Sequence, residues 1–290
     1  MSDWTIGIIG GSGLYAMDAL EDAQWIPIQS PWGEPSDEIL CGTIGHVRVR
    51  FLPRHGRGHR VAPSTINARA NIDALKRAGC TDILAISAVG SLSEELPPGR
   101  FVTVDQFIDN TKGRPSSFFG DGLVAHVSMA DPVCPRLSKH AAKAVAKVGG
   151  ECSEGATYLA MEGPQFSSRA ESKLYRHWGA EVIGMTGMPE AKLAREAELP
   201  YAMLAMVTDW DSWREEEAAV DVGVIIEQMG KNAELAVATV EELCLSLPKR
   251  RPPSPIDRAL DSAIITAPEK QDRGLLAKLD AIAGRVLSER

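Results

Sequence analysis

The chain reads as a single α/β domain with a central mixed β-sheet flanked by helices, followed by a helical C-terminal extension. Three observations predict this class. Short apolar runs alternate with segments of helical period along most of the chain, with no internal repeat. Several of those runs end in glycine- or hydroxyl-rich turns, the position at which ligands gather in α/β folds. At 290 residues and 44% hydrophobic content, the chain can bury one large core.

Trp4 to Ile9 is a short apolar strand that runs into Gly10-Gly11-Ser12-Gly13. Ile39 to Phe51 alternates around Gly42 and Gly45 as a β-hairpin does. Pro63-Ser64 opens a helix carrying Ile66, Ala70, Ala74 and Arg77 at helical spacing, and Gly79 stops it. Thr81 to Ala88 and Phe101 to Ile108 are the next strands, and Leu137 to Val148 is an amphipathic helix ending at Gly149-Gly150. Thr157 to Met161 is a strand leading into Glu162-Gly163-Pro164. Ser168 and Glu171 have capping-box spacing, which predicts a helix from Arg169 to Trp178. Val182 to Met185 is a strand, and Pro189 opens a helix over Glu190 to Glu198. Tyr201 to Thr208 reads as a strand buried on both faces, and a long helix follows from Glu215 to Leu247. The run Lys249-Arg250-Arg251-Pro252-Pro253-Ser254-Pro255 breaks the alternation. It divides the chain into a domain over 1–248, a linker over 249–255 and a helical extension over 256–290, packed on the domain or on a neighbouring subunit.

Bulk properties exclude several classes. The formal charge is −8, from 31 basic and 39 acidic side chains with no long run of either sign, which argues against a nucleic-acid-binding face. Cys41, Cys80, Cys134, Cys152 and Cys244 are scattered and form no CxxC or His/Cys cluster, so they read as thiols in a reducing compartment and no metal site is expected. No apolar run approaches the roughly 18 residues of a membrane span, and Met1-Ser2-Asp3-Trp4 opens no signal peptide. The expectation is a soluble, cytoplasmic protein without a membrane partner.

Chemistry concentrates at five strand ends. After the Tyr201–Thr208 run, Asp209 and Asp211 stand two residues apart and share a face if the strand persists that far. Read alone, they serve equally as turn residues or as a helix N-cap. The glycine turn at 10–13 brings backbone N–H groups and the Ser12 hydroxyl to a strand end, yet it matches neither GxGxxG nor GxxxxGK[ST] and is equally a tight structural turn. Pro53 to Arg60 packs Arg54, Arg57, Arg60, His55 and His59 into a glycine-rich loop, suited to phosphate oxygens or to solvent. Ala88-Val89-Gly90-Ser91 and Met185-Thr186-Gly187-Met188 are further donor-rich turns. Four such turns on one sheet edge favour a common anion pocket over four unrelated connections.

The stretches IGIIGGSGLY, FLPRHGRGHRVAPSTINARANIDALKRAGC, GSLSEELPPGRFVTVDQFID, EGPQFSSRAES, WGAEVIGMTGMPEA and VTDWDSW, in this order and spacing, resemble the methylthioadenosine phosphorylases of the trimeric purine nucleoside phosphorylase family. The resemblance runs over roughly residues 5–245 and implies a nucleoside phosphorylase-like fold. It also implies phosphorolysis of a purine nucleoside, here 5′-methylthioadenosine, to a free base and a ribose-1-phosphate, without metal or organic cofactor and with phosphate as co-substrate. A homotrimer is implied as well. By the same resemblance, phosphate is held by Ser12, Arg54, His55, Ser87, Ala88 and Thr186. Met185 lies against the ribose, and Phe166 against the base. Asp209 protonates the leaving purine near N7, and Asp211 accepts from its 6-amino group. Members acting on 6-oxopurines carry asparagine at the position of Asp209 and glutamate at that of Ser167, so this chain is expected to read adenine. Val220, Val222 and Ile225 match the apolar 5′ pocket, and His126 matches a residue that reaches a neighbouring subunit's site. A 6-oxopurine phosphorylase, a nicotinamide-dependent oxidoreductase and a non-catalytic purine-binding module are the competing readings. The oxidoreductase requires an acidic residue about 20 positions past the glycine turn, where Gln29-Ser30-Pro31-Trp32-Gly33 stands.

Overall fold

The computed structural model describes residues 3–11, 14, 17–214 and 222–288, the side chains of Val222 and Val224 excepted. Strands come first: β1 (Thr5–Gly10), β2 (Glu21–Ile26), β3 (Ile39–Ile44) and β4 (Val47–Pro53), then α1 (Ala68–Arg77) and β5 (Asp82–Ser91). β6 (Phe101–Val104), β7 (Gln106–Asn110), α2 (Pro135–Lys147), β8 (Cys152–Glu154), β9 (Thr157–Met161) and α3 (Arg169–His177) follow. β10 (Val182–Gly184), α4 (Gly187–Glu196), β11 (Tyr201–Asp209) and α5 (Val222–Ser246) complete the sheet and its helices. Two short helices, α6 (Arg273–Lys278) and α7 (Asp280–Ser288), lie beyond.

The sheet is mixed and centres on β5, which runs parallel to β1 and β11 and antiparallel to β10. Its two faces bury different clusters. Ile83 and Ala85 of β5, with Tyr201, Met203 and Ala205 of β11, face one core. Leu84 and Ile86, with Ala202, Leu204 and Met206, face the other. Strict alternation with both faces covered explains why these strands appear in the sequence as continuous apolar runs. Helices α1, α4 and α7 pack together, as α2 does with α5.

Several elements differ from their sequence reading. Pro63 starts only a 3-10 turn, and α1 begins later, where the Asn67 side chain accepts from Ala70 N. The single strand expected over 101–108 is two. β6 pairs with β11 and β8, whereas β7 pairs with β9, and the change of partner falls at Asp105. β2 was hidden by its polar, exposed sequence, and β8 by its three-residue length. The capping box of Ser168 and Glu171 is present as expected. In α4, Met188 is extended (φ −119°, ψ 137°), so the regular helix does open at Pro189.

The region after residue 248 is drawn into the same core. Leu260, Ala263, Ile264, Leu279, Ile282, Ala283 and Val286 join the cluster that holds Ile83 and Met203. Within the run that reads as a linker, Arg251 is buried and bonds the Asp82 carboxylate and, through both terminal nitrogens, Asp257 (2.9 and 2.6 Å). Arg285 of α7 grips the buried Glu198. The extension therefore packs on its own domain. Among the described residues, no helix is long and apolar enough to cross a membrane.

Candidate active site

The site forms where the neighbours of β5 change. Along one edge β1 pairs as far as Ala85, and β10 takes over at Gly90 and Ser91. β11 holds the other edge from Ile83 to Gly90. Among the described residues, Ile86 to Val89 therefore has a strand on one side only. Such a switch point opens a crevice beyond the strand ends.

One half of the crevice carries hydroxyls and a buried cation. Ser87 Oγ and Thr186 Oγ1 lie 3.3 Å apart, and both residues are nearly buried. Below them Arg54 donates from Nη1 to Ile86 O (2.9 Å) and from Nη2 to Ile9 O (3.3 Å), fastening the ends of β5 and β1. Its Nε and Nη2 also grip both carboxylate oxygens of Glu190 (3.0 and 3.1 Å), and Tyr201 Oη donates to the same carboxylate (2.8 Å). Four of the five guanidinium N–H groups are thus engaged within the protein. The two-pronged contact expected between Arg54 and phosphate is made with Glu190 instead, leaving one N–H and the charge. His55 stacks on His59 with centroids 4.3 Å apart, and its Nδ1 lies 2.9 Å from Val61 O. Burial pushes the His55 imidazole down to about 4, so at neutral pH the ring is uncharged and uses its one N–H on Val61. Arg57 pairs with Asp37 and Glu38, and Arg60 donates to Ser36 O, so these two arginines fix the loop.

The other half carries the two aspartates. β11 bulges at Thr208, so that Val207 pairs with Val89 but Asp209 pairs with Gly90. The strand ends at Asp209 and does not persist to Asp211, which sits in a turn at φ 51°. The turn nevertheless brings the pair together, because Asp211 N donates to Asp209 Oδ2 (2.9 Å). Gly90 lies beneath both. A Cβ there would stand 3.2 Å from Asp209 Oδ2 and 3.3 Å from Asp211 Cβ. Burial pushes both carboxyls up, against the Thr208 hydroxyl and Asp211 N–H at Asp209 and against the Ser172 hydroxyl at Asp211. Thr208 Oγ1 is 2.7 Å from Asp209 Oδ1 and 3.1 Å from Val89 O. It has one proton for two acceptors, and the conflict disappears when Asp209 is itself protonated and donates to it. Among the described residues, the buried Asp211 Oδ2 has no hydrogen-bond partner, which leaves an acceptor for an incoming N–H.

A sequence profile of the phosphorylase superfamily matches residues 5–247. A relative from Cereibacter sphaeroides, an S-methyl-5′-thioadenosine phosphorylase, is 58% identical over 284 residues, covering 97% of this chain and 98% of its own. The chain belongs to the phosphorylase superfamily, in its methylthioadenosine phosphorylase branch. A second relative of the same name, from Bradyrhizobium diazoefficiens, is 57% identical over 99% of both chains. Among solved structures, a methylthioadenosine phosphorylase from an antarctic soil metagenomic library superposes with a TM-score of 0.91 at 47% identity, covering 97% of this chain and 99% of that one. The Schistosoma mansoni enzyme in complex with adenine gives 0.79 at 37% identity, over 83% and 91% of the two chains.

In this phosphorylase, Arg54, Ser87, Ala88, Thr186, Met185, Asp209 and Asp211 gather around the C-terminal part of β5. Ser167 is buried, with Oγ 3.7 Å from Met161 Sδ. Phe166 is 42% exposed on the segment leading to α3. His126 is exposed on a strand-like segment tied to the C-terminal extension through His126 N to Ala263 O (2.9 Å). Ile225 is half-buried on α5, whose first residue is Val222. Ser12 and Val220 lie outside the described residues. Sequence reasoning gave no site role to Arg114, Tyr158, Glu190 or Tyr201, and placed Gly90 only in a donor-rich turn. Glu190 left one trace, a carboxylate set among Met188, Ala191, Leu193 and Ala194 on a helix that is otherwise apolar there.

Proposed function

We propose that this chain cleaves 5′-methylthioadenosine with inorganic phosphate, giving adenine and 5-methylthioribose-1-phosphate. The observation that carries the reading is Asp209, a half-buried carboxyl raised by desolvation and bonded, among the described residues, to a hydroxyl and one backbone N–H, beside Asp211 Oδ2, which has no hydrogen-bond partner among them. A phosphate oxygen forms its bond to C1′ as the C1′–N9 bond breaks, and the electron pair passes into the purine. Protonated Asp209 gives its proton to N7, and Asp211 accepts from the 6-amino group. A 6-oxopurine would turn a carbonyl oxygen toward Asp211 and leave both acceptors unmatched.

The Ser87 and Thr186 hydroxyls, the Ala88 backbone and Ser12 hold the phosphate, with His55 at the rim. Arg54 contributes its charge and its remaining N–H. Held in a water-poor crevice, the dianion faces the developing positive charge on the ribose at close range. Met185 contacts the ribose and Phe166 the base, while Ser167 leaves room for a 6-amino purine. Val220, Val222 and Ile225 make the 5′ pocket apolar, which suits a thioether and leaves a 5′-hydroxyl unpaired. The enzyme works in the cytoplasm as a homotrimer to which His126 contributes across a subunit border, and it uses no metal or organic cofactor.

Initial rates on methylthioadenosine, adenosine, methylthioinosine and inosine, each with and without phosphate, test the reading. Strict phosphate dependence with methylthioadenosine fastest is expected. A 6-oxopurine substrate in front, or cleavage indifferent to phosphate, would overturn it.

A further inference from the structure

Met185 and Thr186 are adjacent in sequence yet serve different halves of the site, and their backbone is held by two unrelated anchors. Carbonyls of the 185–188 segment belong to Arg114. Its Nη1 donates to Met185 O (2.6 Å) and Met188 O (3.2 Å), and its Nη2 to Glu162 O (2.6 Å). Nε donates to the Glu162 carboxylate (3.1 Å), which the Lys112 N–H also holds (2.8 Å). Amides of the same segment belong to Tyr158, whose buried hydroxyl accepts from Thr186 N (3.3 Å) and Gly187 N (3.4 Å).

The two anchors reach different surroundings. Arg114, with its side chain 8% exposed, ties Met185 to Glu162, the residue before Gly163 on the segment that leads to Phe166 and Ser167. That segment already touches Met185, since a Cβ on Gly163 would stand 2.5 Å from Met185 Sδ. Tyr158 lies on β9 under Gly184, where a Cβ would meet its hydroxyl at 2.2 Å, and it steadies the backbone that carries the Thr186 hydroxyl toward Ser87.

Resting on the proposed function, we infer that Arg114 is a positioning residue for the nucleoside half of the site and Tyr158 for the phosphate half, so that binding of the two substrates can be weakened separately. Arg114 fixes where Met185 and the 162–167 segment stand relative to each other. Its planar fork reaches three carbonyls and a carboxylate, which a lysine ammonium cannot do. Tyr158 fixes the direction in which Thr186 presents its hydroxyl.

The test compares wild type, Arg114→Ala, Arg114→Lys and Tyr158→Phe by titration calorimetry with methylthioadenosine and with inorganic phosphate separately, supported by KM for each substrate and by Tm. Both Arg114 variants should weaken the nucleoside by about tenfold or more and phosphate by less than about twofold. Tyr158→Phe should show the reverse pattern. If Arg114→Ala does not fold, Arg114→Lys carries the comparison. Parallel weakening of both ligands, a lower Tm with unchanged affinities, or full recovery in Arg114→Lys would overturn the inference while leaving the proposed function standing. A wild type that binds neither ligand would overturn both.

Discussion

Glu190, buried, and Asp209, half-buried, are both carboxyl groups near the end of β5, and they differ in company. Glu190 meets the Arg54 guanidinium with both oxygens and a tyrosine hydroxyl besides. Among the described residues, Asp209 meets no cation, only the Thr208 hydroxyl and the Asp211 N–H. A buried carboxylate fixed to a guanidinium is a permanent charge pair that shapes the fold. One without a cation is costlier to ionise, so its pKa moves up, the direction a proton donor needs. Burial alone therefore does not mark an acid catalyst; at Asp209 the missing countercharge and the place beside the crevice are needed as well.

Substitution of the two carboxyls breaks the comparison most directly. Asp209→Asn should lower kcat on methylthioadenosine by about 10²–10⁴-fold, the usual worth of a general acid, with Tm nearly unchanged. In wild type the rate should fall as pH rises through the elevated Asp209 pKa, and the variant should lose that limb; retention of the limb would assign the proton to another group. Glu190→Gln strands Arg54 in the core and should destabilise the fold by roughly 3–5 kcal/mol, read as a fall in denaturant midpoint, before any effect on chemistry. A Glu190→Gln protein of wild-type stability would remove the permanent pair from the account.

Smaller changes sharpen the contrast. Gly90→Ala pushes on Asp209 Oδ2 and Asp211 Cβ, and turnover should drop by about tenfold, with phosphate KM changing little. Equal effects on both substrates would show that the crowding spreads beyond the aspartates. Glu196 is a third buried carboxyl without a cation, accepting only from Ser117 Oγ and Phe118 N (both 2.7 Å). Burial pushes it up to about 7, from 4.5 in the unfolded chain. A carboxyl raised on folding stabilises while protonated, fully below about 4.5, and this contribution is lost as pH climbs toward 7. The Tm of Glu196→Gln relative to wild type should therefore rise across that window and level off above it. A difference independent of pH would mean that Glu196 is ionised throughout.

Strand ends with their polar punctuation were legible in the sequence because β5 and β11 are covered on both faces, which turns them into unbroken apolar runs ending at chemistry. Asp209, Asp211 and Thr186 were singled out that way, and Ser87 through the family resemblance. What local pattern does not encode is which strands become neighbours. The break at Asp105 and the bulge at Thr208 arise from pairing partners more than 40 residues away. Arg114 left no trace, since a loop arginine looks the same whether it faces solvent or gathers four carbonyl and carboxylate partners. Arg54 was read as free to meet an anion, because nothing near it in sequence announces Glu190, 136 positions on.

The ion pair between Asp82 and Arg251 spans 169 residues. During synthesis Asp82 leaves the ribosome at the root of the central strand long before its partner exists, and Leu260, Ile264, Leu279 and Ile282 emerge later still. Until then the nascent chain has an open apolar face, and the Asp82 carboxylate has Arg136 but not its second arginine. Emergence of the segment beyond residue 248, more than the order of the strands, sets the moment at which this core can close.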